Sequence, residues 1–218
     1  MNAQAFGVEA VAVASTRVLA ISGSLRARSS NTAVLQAVAR LAPTDVEVEV
    51  LSRLDALPHF NPDLDGHGME PPPSVLAFRR LVGAADALMF CSPEYAHGVP
   101  GTLKNALDWL VSAPEVFAKP VALVNASPRS WHAQASLAET LRTMAMRLVP
   151  ATSITVPVMG RKVDAAAIAK DPEMAAVLRG GLDALVHAAR AATSNDDGRQ
   201  PSFAGTGPPA ASASEGST

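Results

Sequence analysis

Short apolar runs alternate along the chain with longer segments in which apolar residues recur every three or four positions. The short runs predict β-strands and the longer segments predict α-helices. Five strands are predicted, at positions 18–21, 46–50, 87–90, 121–124 and 154–156. The helical segments begin near Asn31, after Ser74 and after Thr102, then one carries Leu137 and Leu141, and the last opens at Asp171-Pro172. This alternation predicts an α/β domain whose parallel sheet is covered by helices on both faces.

The pattern of polar and apolar residues within each predicted strand indicates the order of the strands in the sheet. The first, third and fourth strands are apolar at successive positions, as strands buried on both faces should be. In the second strand valines alternate with Glu47 and Glu49, and in the fifth Ser153 and Thr155 alternate with apolar neighbours. Alternation is typical of strands with one wetter face, so these two belong at the edges. The pattern favours the order 2-1-3-4-5, a flavodoxin-like three-layer sandwich.

Composition sets the expected domain limits. We predict one domain over residues 17–192, preceded by an N-terminal extension at 1–16. Residues 193–218 are rich in Gly, Ser, Pro, Ala and Thr, with Phe203 the only large apolar residue. Such a segment buries too little surface to offset the entropy of ordering it, so we expect a disordered tail.

Charge and cysteine content exclude several classes of protein. The chain has 18 Lys and Arg against 20 Asp and Glu, a net charge of -2, which argues against a surface devoted to nucleic acid. No stretch reaches the ~20 apolar residues of a membrane span. Cys91 is the single cysteine, so no disulfide forms within the chain and a cysteine-based zinc site lacks ligands. A single cysteine fits the reducing cytoplasm, so we expect a cytoplasmic protein. We also expect no bound metal, since the scattered histidines lack metal-ligand spacing.

The loop after the first strand, residues 22–31, predicts an anion site. Hydroxyl and guanidinium side chains converge there on a helix N-terminus, where free N–H groups and the helix dipole favour negative charge. The loop lacks the glycines of a dinucleotide fingerprint, and the chain has no Gly-Lys-Ser/Thr triplet of a P-loop. A terminal monophosphate suits it best. The alternative is an ordinary capped helix start with solvated arginines.

The loop after the third strand, residues 92–101, is the second candidate. Two prolines and two glycines fix an irregular backbone there, which can present N–H groups to a flat polar ring. Tyr95 could lie against such a ring. In the predicted sheet both loops follow adjacent strands at the point where the winding reverses. The alternative is a rigid connection without a ligand.

The two loops and the helix that follows them contain a distinctive set of motifs. They are Gly23-Ser24-Leu25-Arg26, Ser29, Asn31, Ser92-Pro93-Glu94-Tyr95, His97-Gly98, Pro100-Gly101 and Leu103-Lys104-Asn105-Ala106-Leu107-Asp108-Trp109, with Leu57-Pro58 and Asn61-Pro62-Asp63 between the loops. These motifs resemble the NADPH-dependent FMN reductase family, a flavodoxin-like group that includes quinone, chromate and azo-dye reductases. The resemblance covers about residues 17–192, and its most specific part is the ordered block from Pro93-Glu94-Tyr95 to Asp108-Trp109.

The resemblance implies a bound FMN. Its phosphate would be held in the first loop, by Ser24, Arg26, Ser29, Ser30 and Asn31. The isoalloxazine edge would meet Pro93, Glu94, Tyr95 and Ala96, and Ser127 after the fourth strand would also reach the flavin. Relatives usually carry Asn at the position of Ala96, and a more glycine-rich loop in place of residues 128–132. These departures bear on the outer pocket and the substrate.

The implied activity is reduction of a flavin, quinone or similar small oxidant by NADPH or NADH, in a ping-pong cycle of hydride transfers. The flavin performs this chemistry, so we expect no catalytic side chain.

Two rival functions stay open. One is a non-enzymatic electron carrier, a class of protein that is usually more acidic than this chain, and the other is a flavin supplier to a monooxygenase. Relatives are dimers or tetramers, which implies a homodimer or homotetramer.

Three single residues leave alternatives open. Arg129 is either a partner for the 2′-phosphate of NADPH or a solvated charge. Trp131 either overhangs the flavin of a neighbouring subunit or packs at its own helix start. Cys91 has either a redox role or the common role of a small buried hydrophobe.

Overall fold

A computed structural model describes residues 15–66, 68–158 and 164–196 of the chain. The strands are β1 (Thr16–Ser22), β2 (Val46–Leu51), β3 (Ala87–Cys91), β4 (Pro120–Asn125), β5 (Arg147–Leu148) and β6 (Ile154–Thr155). The helices are α1 (Ser30–Leu41), α2 (Pro73–Ala84), α3 (Gly101–Asp108), α4 (Trp131–Thr143), α5 (Ala165–Lys170) and α6 (Pro172–Asp196). The parallel sheet has the order β2-β1-β3-β4-β5, and β6 also pairs with β4. The predicted fold class and strand order are confirmed.

The core divides into two layers because successive side chains of the buried strands point to opposite faces of the sheet. Val18 and Ala20 of β1 face the layer formed by α1, α5 and α6, whereas Leu19 and Ile21 face the layer formed by α2, α3 and α4. Every residue of β3 and β4 is buried, as the continuous apolar runs predicted. Helices thus cover both faces of the sheet, and the candidate loops leave it at the carboxyl ends of β1 and β3.

The fifth strand differs from its prediction. It forms two short pieces, β5 pairing with Pro120 and Val121, and β6 pairing with Val124 and Asn125. A single turn of 3-10 helix, Pro150–Thr152, separates them. Proline has no N–H to donate to the neighbouring strand, so the ladder breaks there. The predicted strand at 154–156 found only the second piece.

The start of one helix and the presence of another differ from the sequence prediction. Helix α2 begins at Pro73 with Pro72 in the N-cap position, so Ser74, after which the helix was predicted to begin, lies inside the first turn. A proline at the first helical position costs nothing, because that N–H has no partner within the helix. Helix α5 was not predicted; Asp164 caps it by accepting a hydrogen bond from the Ala167 N–H at 2.8 Å.

The last helix runs past the predicted domain limit at residue 192. It continues to Asp196, and Thr193 and Ser194 donate their hydroxyls to the carbonyl oxygens of Ala189 and Arg190. Bonds to the preceding turn allow these small polar residues to stay helical. The rest of the predicted tail, and the predicted extension through residue 14, lie outside the described residues. The described residues contain no helix long and apolar enough to cross a bilayer.

Candidate functional site

The β1–α1 loop is built by serines that bond to its own backbone. The Ser22 hydroxyl accepts from the Ser24 N–H at 3.3 Å, and the Ser24 hydroxyl accepts from the Arg26 N–H at 3.4 Å. Ser29 is the N-cap of α1, accepting from the Thr32 N–H at 3.3 Å. Ser24 and Ser29 are buried, while Arg26 and Ser30 are exposed. The loop is therefore held in place from within, and its cations face solvent.

A cleft of about 580 Å³ opens beside this loop. Its lining includes Arg26, Arg28, Ser29 and Ser30 from this loop and the start of α1, and Asp164 at the start of α5. The first turn of α1 carries no acidic residue. The Asp164 carboxylate already caps α5. Two guanidinium groups, two hydroxyls and a helix N-terminus form a donor set suited to a phosphate monoester.

Asn31 is placed at the loop but its side chain turns inward. Its Oδ1 accepts a hydrogen bond from the Cys91 thiol, with 3.3 Å between Sγ and Oδ1. Burial raises the pKa of Cys91, so the thiol stays protonated and remains a donor. This leaves Nδ2 of the Asn31 amide for a ligand. Cys91 itself is buried. Such a buried thiol fits the small-hydrophobe alternative better than a redox role.

The β3–α3 loop folds into a tight hairpin turn. The Tyr95 N–H donates to the Gly98 carbonyl at 3.1 Å, and the Gly98 N–H donates to the Tyr95 carbonyl at 2.9 Å. Ala96 and His97 between them have φ values of 50° and 61°, in the left-handed region. Positive φ at both central residues is typical of a type I′ turn, whose twist allows the flanking segments to pair. The hairpin holds Tyr95 at the surface, where 53% of the residue is exposed.

The two loops lie against each other. The Gly23 N–H donates to the Cys91 carbonyl at 2.9 Å, and a Cβ on Gly23 would lie 2.5 Å from Ser92 Oγ. A second cleft, of about 550 Å³, opens between them. It is lined by Gly23, Leu25, Arg26, His59, Tyr95, Pro100, Gly101 and Thr102. Arg26 lines both clefts, so the structure joins the predicted phosphate loop and the predicted ring loop in one continuous surface.

Glu94 has a partner that the sequence did not suggest. Its Oε2 accepts a hydrogen bond from the Ala133 N–H, in the first turn of α4, at 2.8 Å. The carboxylate therefore caps a helix that begins after the next strand. Pro93 and Ala96, its neighbours in the predicted ring-binding set, lie in the same loop and are half-buried and exposed respectively.

Ser127 is buried at the carboxyl end of β4, as its predicted position requires. Its hydroxyl accepts from the Arg129 N–H at 3.2 Å, and its N–H donates to Asn125 Oδ1 at 3.0 Å. Beyond it, the His132 ring stacks on the His97 ring with 4.1 Å between centroids and also on Trp131. Trp131 stays 62% exposed and Arg129 is also exposed. The side chains of Arg129 and Trp131 thus lie at the surface, between the carboxyl end of β4 and the first turn of α4.

His59 at the rim of the second cleft was missed by the sequence analysis. Its segment is held by α3 and the residue after it: Asn105 accepts from the Phe60 N–H at 2.7 Å and donates to the Pro58 carbonyl at 2.9 Å. Trp109 Nε1 also donates to the Pro58 carbonyl, at 2.8 Å. Both segments, Leu57-Pro58 and Asn105 to Trp109, belong to the motifs found in the sequence, but the sequence did not show that they bond to each other. Among the described residues, no three His, Cys, Asp or Glu side chains gather as metal ligands would.

Fold and site together define a flavodoxin-like α/β protein with a serine- and arginine-bearing loop at the point where the sheet reverses its winding. The family model of NADPH-dependent FMN reductase matches residues 16–159. The chain belongs to this family.

Two curated relatives and one solved structure are similar to this chain. An NAD(P)H-dependent FMN reductase of Pseudomonas aeruginosa is 43% identical over 113 residues, which cover 51% of this chain and 60% of that protein. An NADPH:quinone oxidoreductase of Arabidopsis thaliana is 42% identical over 113 residues, covering 50% and 57%. The chain thus spans about three-fifths of the length of these curated relatives. The solved structure of a flavoenzyme NAD(P)H:(acceptor) oxidoreductase from Paracoccus denitrificans superposes with a TM-score of 0.66 at 29% identity, covering 81% and 98%.

Proposed function

We propose that this protein binds FMN and uses NADPH or NADH to reduce a small oxidant, a quinone or a flavin. The observation that carries the proposal is the serine- and arginine-bearing turn after β1, which adjoins the hairpin loop after β3. Family membership and the names of the relatives support it.

The first loop fits the phosphate of FMN. Arg26 and Arg28 supply charge, and the hydroxyls of Ser24, Ser29 and Ser30 supply neutral donors close to the start of α1. Asn31 would contribute Nδ2, since its oxygen is taken by Cys91. A dianionic terminal phosphate gains charge-assisted hydrogen bonds here and lies at the positive end of a helix.

The second loop fits the ring. Tyr95 offers an exposed aromatic face, and the loop of Pro93 and Ala96 follows β3 at the same end of the sheet at which Ser127 follows the adjacent strand β4. FMN, when bound, supplies the hydride transfer between nicotinamide and oxidant. The protein supplies binding and orientation, so no side chain of the site is assigned as acid, base or nucleophile.

The open cleft beside Tyr95 supports a cycle with two successive occupants. The cleft lined by Gly23, Arg26 and Tyr95 adjoins both loops, and in this cycle NAD(P)H would leave it before the oxidant enters. Initial-rate measurements at several fixed quinone concentrations test this order. Parallel double-reciprocal lines are expected; intersecting lines with a demonstrable ternary complex would exclude it.

The direct test of the function is the visible spectrum of the purified protein with FMN supplied. We expect a flavin spectrum with maxima shifted from those of free FMN, bleached when NADPH is added without oxygen and restored by a quinone. Steady-state consumption of NADPH with quinone, compared with free FMN as acceptor, distinguishes a quinone reductase from a flavin supplier. A colourless protein that takes up no FMN would refute the proposal.

We also propose a homodimer or homotetramer in the cytoplasm. Val111 and Phe117, near the two ends of the segment between α3 and β4, are exposed large apolar side chains of the kind that interfaces cover. Light scattering of the purified protein tests the assembly, and a monomer at micromolar concentration would contradict it.

A further inference from the structure

We propose that Glu94 is a positioning residue, which ties the loop after β3 to the start of α4 and so fixes the position of the loop that would meet the flavin ring. The inference rests on the proposed function for its consequence, but the tie itself is a contact within this chain. It concerns the Glu94 side chain, and the flavin contact that the sequence resemblance implies for Glu94 stays a prediction.

The start of α4 needs a cap from elsewhere. Ser130 occupies the N-cap position with φ −93° and ψ 44°, and among the described residues its side chain makes no capping hydrogen bond. The first turn of α4 contains no acidic residue. Glu94, 39 residues away in sequence, fills this role with Oε2 at 2.8 Å from the Ala133 nitrogen. A carboxylate at this place gains both a charge-assisted hydrogen bond and a favourable interaction with the helix dipole.

A second contact joins the same two segments. The His97 ring, at the tip of the hairpin, stacks on the His132 ring in the first turn of α4. His132 in turn stacks on Trp131. The β3 loop is thus fastened to α4 at Glu94 and at His97, three residues apart.

The position of the tie explains why it matters for the site. β3 and β4 are adjacent parallel strands, with Cys91 paired to Val124, so their loops leave the sheet side by side. The loop of Ser127 and residues 128–130 therefore lies beside the loop of Pro93 to Ala96. A planar ring held against Pro93 to Ala96 requires that loop to stay in place, and misplacement by about 1 Å in such a site is costly. Glu94 fixes the position of the loop without touching the ring.

The experiment compares Glu94→Ala and Glu94→Gln with Glu139→Ala as a control. Glu139 is an exposed carboxylate on the same helix, paired with Arg142 on the helix surface and remote from the tie. Two quantities are measured: hydrogen exchange of the Ala133 amide by NMR in protein without FMN, and the Kd for FMN by flavin fluorescence. The first reports the tie alone, and the second reports its effect on the site.

We expect Glu94→Ala to raise the exchange rate at Ala133 about fivefold or more and to weaken FMN binding by a similar factor. Glu94→Gln keeps an acceptor oxygen and should recover most of both effects, while Glu139→Ala changes neither. Unchanged exchange in Glu94→Ala would overturn the tie. Loss of FMN affinity in Glu94→Gln with Ala133 still protected would overturn the positioning role, since it would mean that the charge acts on the flavin directly.

A double variant separates the tie from simple helix capping. Ser130→Asp places a carboxylate at the N-cap of α4, which should restore stability to Glu94→Ala without rejoining the loops. We expect the double variant to regain its Tm but not its FMN affinity; recovery of both would overturn the proposal. If the wild-type protein binds no FMN, the proposed function fails, while the exchange measurement still decides the tie.

Discussion

Replacing Gly23 with alanine tests the contact between the two loops of the site. A Cβ at this position would lie 2.5 Å from Ser92 Oγ, 2.9 Å from Ser92 Cβ and 3.0 Å from Leu103 Cδ2. Two of these atoms belong to the short Ser92 side chain, which donates to the Pro93 carbonyl at 3.0 Å and cannot swing away freely. The loops must therefore separate to make room.

Overpacking of this kind costs about 1–3 kcal/mol. In a domain of this size about 2 kcal/mol corresponds to a fall in Tm of roughly 4–8 °C. Because the loops form the two halves of the site, we also expect FMN binding to weaken by about tenfold or more. Thermal unfolding and flavin fluorescence measure the two effects.

Two further variants make this test specific. Gly180→Ala lies in α6 with no atom within 4 Å of the new Cβ, so it should stabilise the helix by about 0.5–1 kcal/mol. Ser92→Gly added to Gly23→Ala removes the two closest atoms and should recover part of the Tm. A Gly23→Ala protein with wild-type Tm and wild-type FMN affinity would refute the close approach of the loops.

Three other predictions follow from single features. Ala96→Gly relieves the left-handed backbone at φ 50° and should raise the free energy of unfolding by up to about 1 kcal/mol in urea titration; a loss would contradict the turn geometry. Arg79→Ala should lower the free energy of unfolding by about 3 kcal/mol in the same titration, because it leaves the Asp65 carboxylate, whose side chain is 7% exposed, without its ion pair. A loss under about 1 kcal/mol would refute the pairing. Since burial raises the pKa of Cys91, the thiol should react with Ellman's reagent at pH 8 only after denaturation, and fast labelling of the folded protein would show that Cys91 is accessible.

The sheet was predictable because burial leaves a direct mark on the sequence. Strands buried on both faces are apolar throughout, and Glu47 and Glu49 mark β2 as an edge. The mark disappears where an element is very short. Arg147 and Leu148 form a strand of two residues, too few to show any period, and Pro150 hides the continuity with β6.

The loops of the site were predictable in position but not in their internal contacts. Strand order alone places residues 22–31 and 92–101 side by side. The partners of Glu94 and Asn31 lie 39 and 60 residues away, and nothing local in the sequence points to Ala133 or Cys91. The contact between Gly23 and Ser92 is of the same kind, because it depends on how closely two strands' loops approach.

The Kd for FMN compared with the Kd for riboflavin tests most directly whether the turn after β1 holds a terminal phosphate. The two ligands share the ring and differ in the phosphate alone. Several charge-assisted hydrogen bonds at about 1.5–3 kcal/mol each predict that FMN binds at least about a hundredfold more tightly, and that Arg26→Ala removes much of the difference. Equal affinities for FMN and riboflavin, or a preference that Arg26→Ala leaves intact, would contradict the assignment of this turn.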